Sequence, residues 1–196
     1  MQREQRRGRR LQGDRGAALV EAAIILPFLA LLVFGIVELG FLFRSATIVS
    51  SSTRAGARLA AAQYAGAKTA ADRTTVLDNV RQTVEKDLQS RGSTDTPIEL
   101  LVYKANPNGD PLPSGDFSSC STDCLVFGWN SGAAMFDPPS GAWIGADGCG
   151  KVIDSIGVWL RVRHVPIGFS SVVGTIDLKE KTVMRLEPRS DCTTPE

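Results

Sequence analysis

Four cysteines are the residues of this sequence whose number and placement point most directly to chemistry: Cys120, Cys124, Cys149 and Cys192. An even number of cysteines in a small, loop-rich region is typical of two disulfides formed in an oxidising space outside the cell membrane. Free thiols or a zinc site are the alternatives, but Cys149 and Cys192 each stand alone, without a close second cysteine or a helper histidine. The sequence therefore favours two disulfides and leaves their pairing open.

The motifs that could support catalysis or ligand binding are incomplete. Residues 145–151 match the G-x-x-x-x-G-K part of a phosphate-binding loop, but Val152 stands where a Ser or Thr would hold magnesium. His164 is the only histidine and no nucleophile-elbow motif accompanies it, so we interpret it as a structural residue at a sheet edge. Residues 106–110 (NPNGD) lack the ligand spacing of a calcium loop and predict a turn. We therefore expect no catalytic residue, no metal and no cofactor, and the chain is not expected to be an enzyme.

A carboxylate stands at the start of a long apolar run, in the stretch RGAALVEAAIILPF, where Glu21 is the charged residue. Placed at the centre of a membrane helix, such a group costs about 2.5–3.5 kcal/mol, and at the interface it costs much less. One interpretation is therefore an interfacial glutamate that the headgroup region tolerates.

The residues before this run are strongly basic. Residues 1–16 contain six arginines against Glu4 and Asp14, whereas the rest of the chain has more acidic than basic side chains. A basic patch can bind nucleic acid, but this one adjoins the apolar run directly and holds no aromatic residue. The pattern favours the cytoplasmic flank of a membrane segment, and no nucleic-acid partner is expected.

The apolar run covers residues 17–43, and residues 22–37 contain no charge. As a helix it would be roughly 40 Å long, enough to span a hydrocarbon core of about 30 Å with some tilt. A cleaved secretory signal is the alternative, but its apolar region is usually only about 7–15 residues long. The sequence predicts one retained transmembrane helix, with the lipid bilayer as its first partner.

The orientation follows from arginines and cysteines together. Six arginines precede the span, whereas only Arg44, Arg54 and Arg58 follow it closely. All four cysteines lie after the span. If they form disulfides, the part of the chain after the span lies in an oxidising compartment. We therefore expect a single-pass protein of the cell membrane, with residues 1–16 as a cytoplasmic leader and residues 44–196 outside the cytoplasm.

Two helical segments are expected after the span. Residues 44–67 are rich in Ala, Ser and Gly and predict a helical continuation of the span outside the membrane. Their small side chains either allow a neighbouring helix to approach closely or only reflect the helix propensity of alanine. Residues 70–90 predict a second, amphipathic helix with Leu77, Val80, Val84 and Leu88 on its buried face, and Gly92 suits a stop.

Alternating apolar residues predict strands at 97–103, 156–163 and 178–187, each with one buried face, and residues 125–129 are a candidate fourth strand. Residues 104–155 read as a long loop that the cysteines hold against the sheet and the tail. The expected fold class is therefore α+β: a membrane helix, a second helix and a small antiparallel sheet with a long disulfide-held loop, residues 68–196 forming the extracytoplasmic domain.

The N-terminal sequence RGAALVEAAIILPFLALLVFGIVELG, with Pro27 inside it and FGIVELG closing it, resembles the TadE-like family of tight-adherence (Tad) pilus assembly proteins. The Ala- and Arg-rich continuation through Ala62 fits the same pattern, as does the late stretch MRLEP. The resemblance covers roughly residues 15–62. It implies a minor, pilin-like subunit whose partners are other pilin-like subunits and the platform proteins that assemble the pilus.

The resemblance also implies roles for Gly16, Ala17 and Glu21. In pilin-like proteins a prepilin peptidase cuts after the glycine, and the glutamate pairs with the new amino terminus of a neighbouring subunit. Such a pair costs less in lipid than a lone carboxylate, which gives the spacing a physical purpose. Processing after Gly16 is a separate prediction from membership of the family.

Two other classes of protein remain to be distinguished from a pilus component. A membrane-tethered extracytoplasmic binding module would use the disulfide-held loop as its ligand surface. A tethered hydrolase would need catalytic residues that the sequence does not offer. Co-purification with an assembly ATPase, platform proteins or a major pilin separates the first alternative from a pilus component.

Overall fold

The computed structural model describes residues 2–64, 66–67, 69–91, 95–149, 152–167 and 174–188, with side chains from residue 16 onward. The chain divides into two compact units, Met1–Leu42 and Phe43–Glu196. A single long helix, α1 (Gln2–Tyr64), contributes to both.

The first unit consists of the N-terminal part of α1. Large apolar side chains from Leu19 to Phe41 are exposed all along it. A helix that is apolar on every side belongs in a protein core or in a membrane. Within the described residues, the stretch Gly16–Tyr64 is the one helix long and apolar enough to cross a membrane. The expected N-terminal span is therefore present as a candidate.

The second unit begins with the C-terminal part of α1, which packs against α2 (Ala70–Ser90) through small residues. Gly56, Ala57 and Ala60 are buried there. A Cβ atom placed on Gly56 would lie 2.8 Å from Cγ2 of Val84, so a glycine is what the approach of the two helices admits. Of the two interpretations of this Ala- and Gly-rich segment, the structure supports close helix packing.

The second helix, α2, has the predicted bounds and buried face. Its N-terminus is a capping box, in which the Thr69 side chain accepts from Asp72 N and the Asp72 carboxylate accepts from Thr69 N. The predicted stripe is buried: Leu77, Val80, Val84 and Leu88. Arg91 caps the other end, and the predicted stop at Gly92 lies outside the described residues.

In the part of the chain that the structure describes, six strands form one antiparallel sheet: β1 (Thr96–Ala105), β2 (Cys124–Asn130), β3 (Met135–Phe136), β4 (Ser140–Ala142), β5 (Ser155–His164) and β6 (Ile176–Arg185). Their order is β3-β2-β1-β5-β6, with β4 paired to β2. β1 pairs with both β2 and β5, and β5 pairs with both β1 and β6. The predicted α+β class with a small antiparallel sheet is confirmed.

The sheet is buried on both sides at its centre, which corrects the expectation of one buried face for β1 and β5. Leu100 and Leu160 belong to the main core together with α1 and α2. Tyr103 and Trp159 point to the opposite face and are buried in a second cluster. Phe117 covers that face: its ring lies 5.3 Å from the Trp159 ring in a stacked arrangement. The prediction was wrong because this cover comes from a distant, weakly apolar part of the chain.

The predicted loop at 104–155 contains β2, β3 and β4 and a short 3₁₀ helix at Phe117–Ser119. A disulfide joins Cys120 to Cys124, the first residue of β2, and so ties the 3₁₀ segment to the sheet. Cys149 is disulfide-bonded as well, whereas Cys192 lies outside the described residues. The expectation of a disulfide-held loop is confirmed at Cys120–Cys124.

Candidate functional site on the N-terminal helix

The predicted processing and assembly residues lie on the exposed part of α1. Gly16, Ala17 and Glu21 are all helical and exposed. Ala17 and Glu21 are four residues apart, so they share one face of the helix at a separation of about 6 Å along its axis. An amino group at residue 17 and the carboxylate of residue 21 would therefore lie on the same side of one helix.

The glycine at residue 16 has no structural cause in the surrounding fold. Nothing lies within 4 Å of a Cβ atom placed on Gly16, so larger side chains fit there. Glycine inside a helix costs about 1 kcal/mol relative to alanine. Among the described residues, neither a neighbouring atom nor a positive φ therefore requires a glycine at this position.

Two carboxylates bracket the uncharged part of this helix. Glu21 and Glu38 are separated by about 26 Å along the helix axis, close to the roughly 30 Å thickness of a hydrocarbon core. Each carboxylate can then reach one interface, where a charge costs little. Sequence reasoning left Glu38 without a role, although the spacing of the two glutamates was visible in the sequence.

Pro27 lies inside α1 between these carboxylates. Proline has no backbone N–H, so the carbonyl of Ala23, four residues earlier, loses its usual hydrogen bond within the helix. In a membrane such a carbonyl is tolerated when neighbouring helices or local adjustments satisfy it. The proline therefore marks the place where this helix is easiest to bend.

His164 forms a buried polar pair in the second unit. Its Nδ1 lies 2.8 Å from Oδ1 of Asp95, and the two side chains are only 3% and 2% exposed. His164 ends β5, as expected from the sequence, but β5 has β1 on one side and β6 on the other, so the residue does not lie on an edge strand. The histidine joins the start of β1 to the end of β5, which is the structural role that the sequence suggested.

The loop motif at residues 106–110 is a turn in the structure. Asn106 Oδ1 accepts hydrogen bonds from the backbone N–H groups of Asn108 and Asp110, and the predicted turn is confirmed. Tyr103 Oη donates to Gly109 O in the same turn, and burial, with Asp110 nearby, raises the pKa of the Tyr103 hydroxyl. Gly145 donates its N–H to Asp123 Oδ1. Gly150 and Lys151 lie outside the described residues.

A shallow cavity of about 250 Å³ opens between the start of α2 and the segment after β4, lined by Arg73, Leu77, Leu125 and Trp143 among others. Trp143 Nε1 donates to Tyr64 Oη at 2.5 Å. The Arg73 guanidinium lies 6.0 Å from the centre of the Tyr64 ring, at the outer limit of a cation–π contact. The sequence gave no signal for this site, because its residues come from three distant segments.

The exposed apolar part of α1 and the segment that packs on α2 together make up the region that resembles a known family. No curated protein and no solved structure matches the chain. A family model described as TadE-like protein matches residues 16–58, which begins at Gly16 and includes both carboxylates and the closely packed Gly56. The resemblance expected from the sequence is therefore confirmed over residues 16–58.

Proposed function

We propose that this protein is a membrane-anchored, pilin-like component of a Tad-type pilus or of the machine that assembles it. The observation that carries the proposal is the TadE-like match at residues 16–58, which coincides with a helix whose apolar side chains are exposed. The second unit, with its disulfides, is then the domain displayed outside the cytoplasm.

The exposed apolar helix supports both anchoring and assembly. The same side chains that face lipid in a single subunit can face the helices of other subunits after assembly, because lipid and apolar side chains are similar surroundings. Glu21 gives such an assembly its register. Its carboxylate accepts the amino terminus of a neighbouring subunit at Ala17, and pairing in lipid costs less than leaving the charge alone.

The proposed partners follow from this arrangement. They are the lipid bilayer, other pilin-like subunits, the platform proteins of the assembly machine and a prepilin peptidase that cuts after Gly16. The proposal includes no enzymatic activity of the chain itself.

Loss of the Glu21 carboxylate tests the proposal. We expect Glu21→Ala to insert into the membrane normally and to co-purify with pilin-like and platform proteins at least several-fold less than the unchanged chain. Glu38→Ala removes the other carboxylate of the same helix and serves as the matched control, with co-purification retained. Membrane fractionation and quantitative mass spectrometry of tagged, detergent-extracted protein measure both quantities.

A membrane-tethered binding module is the second candidate function, and the cavity beside Arg73 and Trp143 is the observation that favours it. The two functions differ in their partners. A chain that co-purifies with no assembly ATPase, platform protein or pilin, in cells that express these proteins, would contradict the pilus proposal and leave the binding module.

A further inference from the structure

Exposed apolar side chains of the second unit concentrate at one end of it. Among its described residues, the exposed large apolar side chains are Phe43, Met135, Ile144, Val152, Val165 and Ile167. The hydrogen bonds and strand pairings of this unit show which of them lie together.

The alignment of α1 with β6 locates the first group. Three hydrogen bonds fix it: Ser50 Oγ to Glu180 Oε1, Thr53 Oγ1 with Thr182 Oγ1, and Glu187 N to Ala61 O. Arg44 precedes Ser50 by six residues, which is about 9 Å along a helix. Asp177 precedes Glu180 by three residues, which is about 10 Å along a strand. Arg44 and Asp177 therefore lie at about the same height along the α1–β6 contact, and Phe43 directly precedes Arg44 in the chain.

The end of β5 lies at this level too. Asp177 pairs with Arg163 in the sheet, and His164 follows as the last residue of β5. Val165 and Ile167 come next in the chain and are 50% and 70% exposed. The connection from β5 to β6 thus begins at the end of the unit that holds Phe43.

The end of α2 and the turn between β2 and β3 complete the group. Arg44 Nη2 donates to Arg91 O at 2.9 Å, which places the C-terminus of α2 here. Gln89 Nε2 donates to Ala134 O at 2.9 Å, which brings the β2–β3 turn to the same end. Met135 follows Ala134 and is exposed. Phe43, Met135, Val165 and Ile167 therefore share one end, which we call the Phe43 end.

Two of the three connections at the Phe43 end are uncharged in sequence, and the third, from α2 to β1, contains Asp95, which is buried against His164. Residues 131–136 read SGAAMF and residues 165–176 read VPIGFSSVVGTI. Charged side chains are instead found in the turns at the other ends of these strands, for example Asp110, which pairs with Lys181, and Asp154, which pairs with Lys104. Arg44 provides positive charge beside the apolar tips, whereas Arg91 is paired with Asp87 and Arg163 with Asp177. Apolar tips with a nearby arginine are the composition that suits a phospholipid interface.

We propose that the Phe43 end of the second unit rests on the surface of the phospholipid bilayer, with Val165 and Ile167 placed among the lipid headgroups. The apolar run ends at Phe43, so a bilayer crossed by that run has its surface near Phe43. The bilayer is therefore the partner that this end of the unit meets. The inference rests on the proposed function, which requires residues 17–43 to span a membrane. The domain is then held against the membrane at a second place besides its helix.

Depth-dependent fluorescence quenching tests this contact. The full chain is reconstituted into vesicles of phosphatidylethanolamine and phosphatidylglycerol that contain nitroxide-labelled lipids. Ile167→Cys is labelled with an environment-sensitive fluorophore without reductant, so that disulfide-bonded cysteines do not react, and the unchanged chain serves as the labelling blank. Ile144→Cys is the matched control, since Ile144 is 72% exposed but lies near Trp143, away from the Phe43 end. Leu31→Cys reports the span itself.

The proposal expects a label at residue 167 to lose about half of its emission to shallow nitroxides, as for a group about 5–10 Å into the interface, and a label at residue 144 to lose little. If the label at residue 31 is quenched but the labels at residues 167 and 144 are both unquenched, the proposed contact is overturned and the membrane anchor stands. No quenching at residue 31 would overturn the membrane-anchored function and the contact with it. Equal quenching at residues 144 and 167 would overturn the assignment to the Phe43 end.

Discussion

Gly56 lies where α1 contacts α2, and its identity follows from that contact. A Cβ atom there would lie 2.8 Å from Cγ2 and 3.4 Å from Cγ1 of two valines, Val84 and Val80 respectively. Valine side chains have few alternative rotamers in a helix, so they cannot easily make room. The residue is buried, and Val158 Cγ1 of the core cluster lies 3.6 Å from the same Cβ position.

We expect Gly56→Ala to lower the free energy of unfolding of the second unit by about 1–3 kcal/mol, the usual cost of forcing extra volume into a packed core. Gly40→Ala is the matched control on the same helix, because nothing lies within 4 Å of a Cβ atom there. Denaturant unfolding of detergent-solubilised protein, followed by tryptophan fluorescence, measures both. Equal stability of the two variants would contradict the close packing of α1 and α2.

The elements show which features sequence patterns can predict. α2 is predicted with its bounds because its apolar stripe and its end signals are local. The second buried face of β1 and β5 is not predictable in this way, because Tyr103 and Trp159 are covered by Phe117 from a segment rich in Ser and Gly. Tyr103 also packs over Gly157, its partner in the sheet, and such a pairing becomes visible only when the register is known.

The 3₁₀ segment that provides this cover depends on the disulfide at its end. With Cys120 and Cys124 joined, Cys192 is the remaining cysteine of the sequence that can pair with Cys149. We therefore expect non-reducing peptide mapping to find a Cys149–Cys192 linkage besides Cys120–Cys124, with no free thiol after alkylation. Alkylation of both Cys149 and Cys192 in protein purified from the membrane would contradict this pairing. The reduced sample, in which all four cysteines react, is the control.

At the scale of the whole molecule, the division between an apolar helix and a folded domain was predictable, and the candidate site only in part. The spacing of Gly16 and Glu21 and the length of the apolar run are properties of the sequence itself. The surface at the Phe43 end, by contrast, gathers residues that are far apart in the chain, so only the fold brings Phe43, Met135 and Ile167 to one end. The cavity at Arg73 and Trp143 was not predicted for the same reason.

Removal of the arginine-rich leader is the prediction that concerns the whole chain, because it decides what the mature molecule is. Gly16 lies inside α1, so a peptidase must unwind the helix locally to reach the bond after it, and glycine lowers the cost of that step by about 1 kcal/mol relative to alanine. We expect intact-mass measurement of membrane-extracted protein to give a chain that begins at Ala17. Trimming would leave an amino group one turn from Glu21, free to pair with a neighbouring subunit.

Gly16→Val should block this trimming. A valine side chain meets no steric obstacle in the folded helix, since nothing lies within 4 Å, so the variant should fold and insert normally while crowding the peptidase site. Gly13→Val is the matched control, because it changes another leader glycine without touching the bond that is cut. We expect the control to be trimmed fully and Gly16→Val to retain residues 1–16. An unchanged chain that still carries residues 1–16, in a host with its own prepilin peptidase, would mean that Gly16 is no processing site and that the leader stays as the cytoplasmic flank of the anchor.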